Sequence, residues 1–197
     1  MTLSFENLSD AYLVERLRQD DLEALGGLFD RYYTQVYRVA VAITQDSQVA
    51  EDIAQETFLR IHRYAARIDT ALPLMPWLYR VTVNLSYTWV TRQKKRRVSL
   101  EDIVDRLMSP AWLAPEHLVE HTEMQRRVRD AIRDLPFNQR VVVVLHYLNG
   151  QNLDEIAHIL ECPVGTVKSR LHYARETLRQ RLDKTTWTGE LAHEMAR

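Results

Sequence analysis

A chain of 197 residues, 46% of them hydrophobic, has enough apolar surface for one ordinary core or two small ones, which excludes wholesale disorder. Its net charge of −1 gives no overall basic signal, and a single cysteine, Cys162, excludes an intramolecular disulfide and suits a reducing compartment. No apolar stretch approaches the roughly 18–20 residues of a membrane span, and MTLSFENLSD lacks a basic segment followed by an apolar run. A cytoplasmic protein without membrane insertion or secretion signal is therefore expected.

The five glycines and six prolines are spaced as punctuation between long periodic segments, which predicts a mostly helical chain. A first helix spans Leu8 to Leu17, with Ser9 as its N-cap. A second runs from about Asp21 through Ile43, with Leu25, Leu28, Phe29, Tyr32, Val36, Val39 and Ile43 on one face. Ser47 is the expected cap of a third, whose apolar side is Val49, Ile53, Phe58 and Ile61. Pro73 and Pro76 interrupt, and a fourth helix is expected from Pro76 to about Lys95, burying Leu78, Val81, Leu85 and Trp89 with Trp77 beside them. Ser99 to His121 carries Pro110 and Pro115 with weak periodicity and reads as a linker. Met124, Val128, Ile132 and Leu135 then mark a helix, and Pro136 begins another that ends before the turn at Asn149-Gly150. Two short helices follow, Leu153–Leu160 and Val164–Leu182, and the tail after Lys184 fits no pattern.

Charge is distributed in blocks that the net value averages away. Thr70 to Leu100 holds six bases (Arg80, Arg92, Lys94, Lys95, Arg96, Arg97) and no acid, whereas Glu101 to Glu123 holds six acids and one base, Arg106. The end of the chain is basic again through Lys168, Arg170, Arg175, Arg179 and Arg181. Asn152 and Glu155 have capping-box spacing, and Pro163 can start a helix because its missing N–H would have no partner there. A short helix, a three-residue turn and a second helix spell a helix-turn-helix. Val164, Val167, Leu171, Ala174, Leu178 and Leu182 fall on one face of the second helix. The opposite face presents Gly165, Ser169, His172, Tyr173 and Glu176, flanked by Thr166, Lys168, Arg170 and Arg175. Short polar groups for base edges between cations for phosphates predict a major-groove reader. On the fourth helix Arg80, Asn84, Tyr87, Thr91 and Lys94 interleave cations with aromatic and amide groups, as unstacked bases require.

Two stretches resemble one family. AEDIAQETFLRIHRY with PWLYRVTVNL is similar to region 2 of bacterial sigma-70 family sigma factors, and LPFNQRVVVVLHYLNGQNLDEIAHILECPVGTVKSRLHYARETL is similar to region 4. The match covers roughly residues 10–97 and 122–182 and lacks an intermediate domain, which is the extracytoplasmic-function (ECF, group IV) form. The resemblance implies an all-α fold of two small helical domains: a region 2 bundle over 1–97 and a region 4 helix-turn-helix over 122–183. An acidic linker over 98–121 would join them, and a tail over 184–197 would follow.

Residue roles follow from the same resemblance. Asp52, Gln55, Glu56 and Phe58 would contact the β′ clamp helices of core RNA polymerase, with the β flap as a further polymerase contact. The loop from about Ile68 to Met75 would take flipped bases of the −10 element together with Arg80, Asn84, Tyr87, Arg92, Lys94 and Lys95. Thr166, Lys168, Ser169, Arg170, His172, Tyr173 and Arg175 would serve the −35 element, with Arg140, Arg170 and Arg175 on phosphates. An anti-sigma factor is a further implied partner, and the linker acids would repel RNA phosphates, mimic them, or simply solvate a tether. The sequence departs from the family pattern at Thr88, where Asp is frequent, at His172 and Tyr173, and at Glu161, where a turn usually takes Gly, Asn or Asp.

Two other readings fit parts of the sequence. His117-Leu118-Val119-Glu120-His121 fits the H-x-x-E-H pattern of some zinc peptidases, but it sits at a linker–helix junction and five-residue motifs recur by chance. No metal, cofactor or catalysis is expected. A stand-alone helix-turn-helix regulator would share the C-terminal half but not the paired AEDIAQE and PWLYR segments.

Overall fold

The computed structural model describes residues 8–96 and 123–182, excepting the side chains of 94–96 and 123–125. The linker, the tail with Trp187 and the H-x-x-E-H motif lie outside these residues. Among the described residues there are helices and turns and no strand, and they form two compact units.

The first unit holds α1 (Asp10–Leu17), α2 (Leu22–Thr44), α3 (Ser47–Tyr64), a short 3-10 turn (Ala65–Arg67) and α4 (Leu74–Arg96). Ser9 caps α1, its Oγ accepting from the Tyr12 N–H at 3.2 Å, and Asp21 caps α2 through the Glu23 N–H at 3.0 Å. Capping α3 falls to Asp46 rather than Ser47: Asp46 Oδ1 accepts from the Val49 N–H at 3.0 Å, and Ser47 is the first helical residue. A carboxylate there also meets the positive end of the helix dipole. The fourth helix starts at Leu74, two residues before Pro76. A proline fits within this first turn because its absent N–H would have had no intrahelical acceptor.

The core of this unit gathers Leu13, Val14 and Leu17 from α1, Leu28 and Val36 from α2, Phe58 and Ile61 from α3, and Leu74 and Leu78 from α4. The aromatic rings of Phe29, Tyr33 and Tyr37 stack along α2 at 4.7 and 5.9 Å, with Phe58 against Phe29 at 4.9 Å. Polar ties complete it: Arg31 donates to Asp10 at 2.5 Å and to the Leu8 carbonyl at 2.7 Å, and the Tyr32 hydroxyl donates to the other Asp10 oxygen.

The buried stripe of α4 differs from the expected one. Leu78, Tyr79, Thr82, Val83 and Ser86 are buried, whereas Val81, Leu85, Trp89 and Trp77 are only half-buried. Thr82 and Ser86 can be buried because each hydroxyl donates to the carbonyl four residues back, Leu78 and Thr82, at 2.8 Å. Thr57 on α3 does the same toward Ile53, and its Oγ1 lies 3.5 Å from that of Thr82. With their polar groups satisfied, these small side chains line the α3–α4 contact without leaving an orphaned donor.

The second unit holds α5 (Glu123–Arg133), α6 (Phe137–Val143) continued by a π-helical turn (Val144–Leu148), α7 (Leu153–Leu160) and α8 (Val164–Arg181). Val141, Val142, Val143, Val144 and Leu145 are all buried, so the chain is enclosed where α6 passes into the π-helical turn, and Ala131, Leu135, Ile156, Val167, Leu171, Ala174 and Leu178 are buried in the same unit. The turn after it is closed by Gly150 at φ +66°, a left-handed position. Asn152 and Glu155 form the expected reciprocal capping box. The Asn152 side chain accepts from the Asp154 and Glu155 N–H groups at 3.0 and 2.9 Å, and Glu155 accepts from the Asn152 N–H at 2.8 Å.

Candidate nucleic-acid and partner interfaces

The turn between α7 and α8 sets how the last helix is presented. The Cys162 N–H donates back to the Ala157 carbonyl at 3.1 Å, closing a helix end of the type that needs a left-handed residue just before it. That residue is Glu161, at φ +50°, so a side chain with a Cβ stands where glycine is easiest. Pro163 then leads straight into α8.

On α8, Val167, Leu171, Ala174 and Leu178 are buried and Val164 is half-buried. Gly165, Lys168, Ser169, His172 and Tyr173 are exposed, Tyr173 by 61%, and its ring meets His172 edge-on at 5.5 Å. A Cβ at Gly165 would meet no atom within 4 Å, so packing does not demand glycine there. Ser169 Oγ donates to the Thr166 carbonyl at 3.0 Å, which leaves its lone pairs outward. Thr166 and Arg170 are half-buried, and an Arg170 Nη1 lies 3.9 Å from the Cys162 sulfur.

Two arginines have structural engagements that the sequence did not suggest. Arg175 Nε donates to the Tyr147 hydroxyl at 2.7 Å while its guanidinium lies 5.8 Å from the centre of that ring, so it also braces α8 on the π-helical turn. Arg140, expected on a phosphate, also bonds within the fold. Its Nη2 donates to the Arg133 and Leu135 carbonyls at 2.5 and 3.1 Å, covering the last carbonyls of α5 with a cation. Burial lowers the Arg140 pKa, the neighbouring Asp134 opposing that effect.

On α4, Asn84, Tyr87 and Arg92 are exposed, Tyr87 by 53%, and Thr91 is half-buried. Positions 80, 84, 87 and 91 share one side of the helix, opposite the Leu78–Thr82–Ser86 stripe. The side chains of Lys94 and Lys95 lie outside the described ones. The Asn84 carbonyl accepts from the Thr88 hydroxyl at 2.9 Å, so Thr88 is turned back onto its own helix. Before α4, the 69–73 loop is tied at its tip: the Ala71 N–H donates to Asp69 Oδ1 at 2.9 Å and the Leu72 N–H to the Asp69 carbonyl at 3.3 Å. Ile68 and Leu74 are buried on either side of it, and Leu72 is 57% exposed at its crest.

On α3, Asp52 and Gln55 are exposed and Glu56 is half-buried, accepting from Arg60 Nε at 2.9 Å. Phe58 is a correction: it is 3% exposed, inside the core against Phe29, because it falls on the Ala54–Ile61 side of the helix. An outside partner cannot touch it there. The apolar member of the outward face is Leu59, 54% exposed, at i+7 from Asp52 and i+4 from Gln55. The signal for it was in the sequence: Leu59 is the one leucine of this helix out of phase with Ile53, Phe58 and Ile61. Burial, with the nearby Glu51 carboxylate, pushes the hydroxyls of Tyr33 and Tyr37 above the usual tyrosine range.

No described helix is long and apolar enough to cross a membrane, and no group of three or more His, Cys, Asp or Glu among the described residues is placed to hold a metal.

The family description "Sigma-70 region 2" matches residues 28–97, and "Sigma-70, region 4" matches residues 125–178. The chain is 31% identical over 185 residues to the ECF RNA polymerase sigma-E factor of Haemophilus influenzae, spanning 90% of this chain and 97% of that protein. It is 32% identical over 178 residues to the ECF RNA polymerase sigma factor SigW of Bacillus subtilis, spanning 86% and 94%. Among solved structures, its fold is similar to CnrH in complex with the cytosolic domain of CnrY, with a TM-score of 0.63 and 21% identity over 88% of this chain and 97% of that one. It is also similar to the sigma factor RpoE in complex with the anti-sigma factor NepR from Bartonella quintana, with a TM-score of 0.59 and 21% identity over 78% and 93%. None of these matches supports a stand-alone helix-turn-helix regulator.

Proposed function

The chain belongs to the ECF class of sigma-70 family RNA polymerase sigma factors, which bind core polymerase and direct promoter-specific initiation, and we propose the following division of that work among its residues. The outward face of α3 docks on the β′ clamp helices: Asp52, Gln55 and Glu56 supply the polar rim and Leu59, in place of Phe58, the apolar centre. The 69–73 loop and the Arg80–Asn84–Tyr87 side of α4 hold unpaired bases of the −10 element, with Arg92, Lys94 and Lys95 following the phosphates. Extruding a base costs a few kcal/mol, which stacking on Tyr87 and hydrogen bonds to Asn84 help to offset.

Lys168, Ser169, His172 and Tyr173 read the −35 duplex, Thr166 beside them, and Arg170 and Arg175 reach phosphates. Gly165 supports this reading, since a glycine that packing does not need leaves room for close approach to a groove. Polymerase fixes the spacing of the two DNA-binding units, so each needs only modest affinity of its own.

The protein works by binding and not by catalysis, in the cytoplasm beside polymerase. It is held in check by an anti-sigma factor, a partner suggested by the NepR complex of a fold relative. Residues 98–121 serve as the acidic tether between the units. The observation that carries the reading is the coexistence of an aromatic–amide face on α4 with a glycine-opened polar face on α8, in separate units of one chain.

Run-off transcription with bacterial core polymerase on a promoter library tests it. Protein-dependent transcripts that share a motif pair and are lost in Gln55→Ala and Asn84→Ala support the assignment. DNA binding without protein-dependent initiation refutes it.

A further inference from the structure

One long-range polar contact in the first unit ties the end of α1 to the backbone of two core residues beyond α3. Arg18, at the end of α1, reaches backbone 47 and 50 residues further along: its Nε donates to the Ala65 carbonyl at 3.1 Å and its Nη2 to the Ile68 carbonyl at 2.7 Å. Its third nitrogen, Nη1, donates to Glu15 Oε2 at 2.8 Å, which holds the guanidinium from behind. The two carbonyls flank the 3-10 turn that follows α3, so the fork spans the base of the 69–73 loop. Ala65 and Ile68 are buried at 3% and 5% exposure, and the Ala65 carbonyl also accepts from the Ile68 N–H at 3.3 Å, so the fork adds to a bond the turn already makes.

We propose that Arg18 is a positioning residue for −10 recognition: it fixes the take-off of the 69–73 loop and thereby the shape in which the loop meets an extruded base. The proposal rests on the reading of that loop given above. The physical reason for an arginine is its planar fork, which donates to two carbonyls in fixed relative positions; a lysine offers one point charge and cannot span both. On the other side the loop is held by Leu74, 2% exposed, and its tip by the Asp69 bonds. Once the Arg18 fork is lost, the Ile68 side chain and its N–H bond to the Ala65 carbonyl are left to define the first hinge, and a pocket depending on sub-ångström placement loses discrimination before it loses its fold.

The test uses holoenzyme reconstituted from core polymerase and the full chain, unaltered or carrying Arg18→Lys, Arg18→Ala or Leu72→Asp. The probes are single-stranded −10 oligonucleotides of the motif found in the promoter library, each with one base replaced. The readout is the ratio of affinities for the selected and the replaced strand at each position. General destabilisation lowers all affinities in proportion and leaves this ratio unmoved. Both Arg18 variants are expected to lower it by about tenfold at the position where Leu72→Asp lowers it, with core binding and −35 duplex binding unchanged. A ratio lost in Leu72→Asp but kept in both Arg18 variants overturns the role of Arg18 and leaves the loop reading standing. A ratio kept in all three overturns the loop reading, and the role of Arg18 with it.

Discussion

The four buried polar residues among those described, Thr44, Thr57, Thr82 and Ser86, all lie in the first unit, while the buried residues of the second are aliphatic throughout. The first unit adds long-range polar ties, Asp10 to Arg31 and Tyr32, and Arg18 to the loop after α3. The second buries the five consecutive residues from Val141 to Leu145, caps α7 locally, and has long-range ties of its own, Arg175 to Tyr147 and Arg181 to Asp134. The two units solve different tasks. In the first, α4 packs on α2 and α3 and also keeps an amide–aromatic side outward, so small hydroxyl residues let it approach its neighbours closely. In the second, α8 needs only one stripe against α6, and ordinary aliphatic packing suffices.

The largest effect that would sharpen this contrast comes from the aliphatic unit. Leu145→Ala, at a fully buried position, is expected to cost about 3 kcal/mol, from lost transfer energy and the cavity left behind. Urea unfolding followed by residue-resolved NMR of α6 measures it, and a loss below about 1 kcal/mol would break the picture of a dense aliphatic centre.

The polar ties of the first unit are expected to weigh less and to depend on pH. The Tyr32 hydroxyl is pushed up from 10.0 to about 12, by burial first and by its hydrogen bond to and charge repulsion from Asp10. The folded state therefore holds this proton more tightly than the unfolded one. The stabilisation is present in full below pH 10.0 and is lost as pH climbs through about 12. Tyr32→Phe should cost about 1 kcal/mol at neutral pH and flatten the alkaline fall in stability. Parallel stability curves for the two proteins between neutral and alkaline pH would show that the tie contributes nothing.

Next comes a substitution of opposite sign. Glu161→Gly relieves a left-handed backbone of its Cβ and should stabilise the second unit by up to about 1 kcal/mol, read as a rise in its thermal midpoint. No rise would mean that contacts of the Glu161 side chain already offset the strain. Smallest is Thr82→Val, which keeps the shape and removes a hydroxyl bonded only within its own helix and to Thr57. A change within about 0.5 kcal/mol in chemical denaturation is expected, whereas a larger loss would make the hydroxyl pair, and not the small volume, what holds α3 to α4.

How far the sequence could be read differs between the same two units. On α8 the 3.6-residue period placed Val167, Leu171, Ala174 and Leu178 inward and Ser169, His172 and Tyr173 outward, as the structure has them. The capping box and the turn at Gly150 were equally legible, because each is set by a few adjacent residues. On α4 the apolar residues did not mark the buried side. Val81, Leu85 and Trp89 sit at the margins, and Thr82 and Ser86 go inward because they can bond their own helix, a satisfaction invisible to a hydrophobicity pattern. Phe58 misled for a related reason, being read beside Gln55 and Glu56 in sequence when its helical phase turns it inward and Leu59 outward.

By itself the sequence determined the helices, the caps at Ser9 and Asn152, the division of charge and the two motif pairs that carry the family resemblance, all of which are encoded within a few turns of chain. Only the tertiary structure decided which partners several arginines take within the fold, among them Arg140 at the end of α5, Arg175 at Tyr147, Arg31 at Asp10 and Arg18 at the loop after α3. A long flexible side chain takes its partner from whatever the packing of distant segments brings within reach, and that distance is set by the fold.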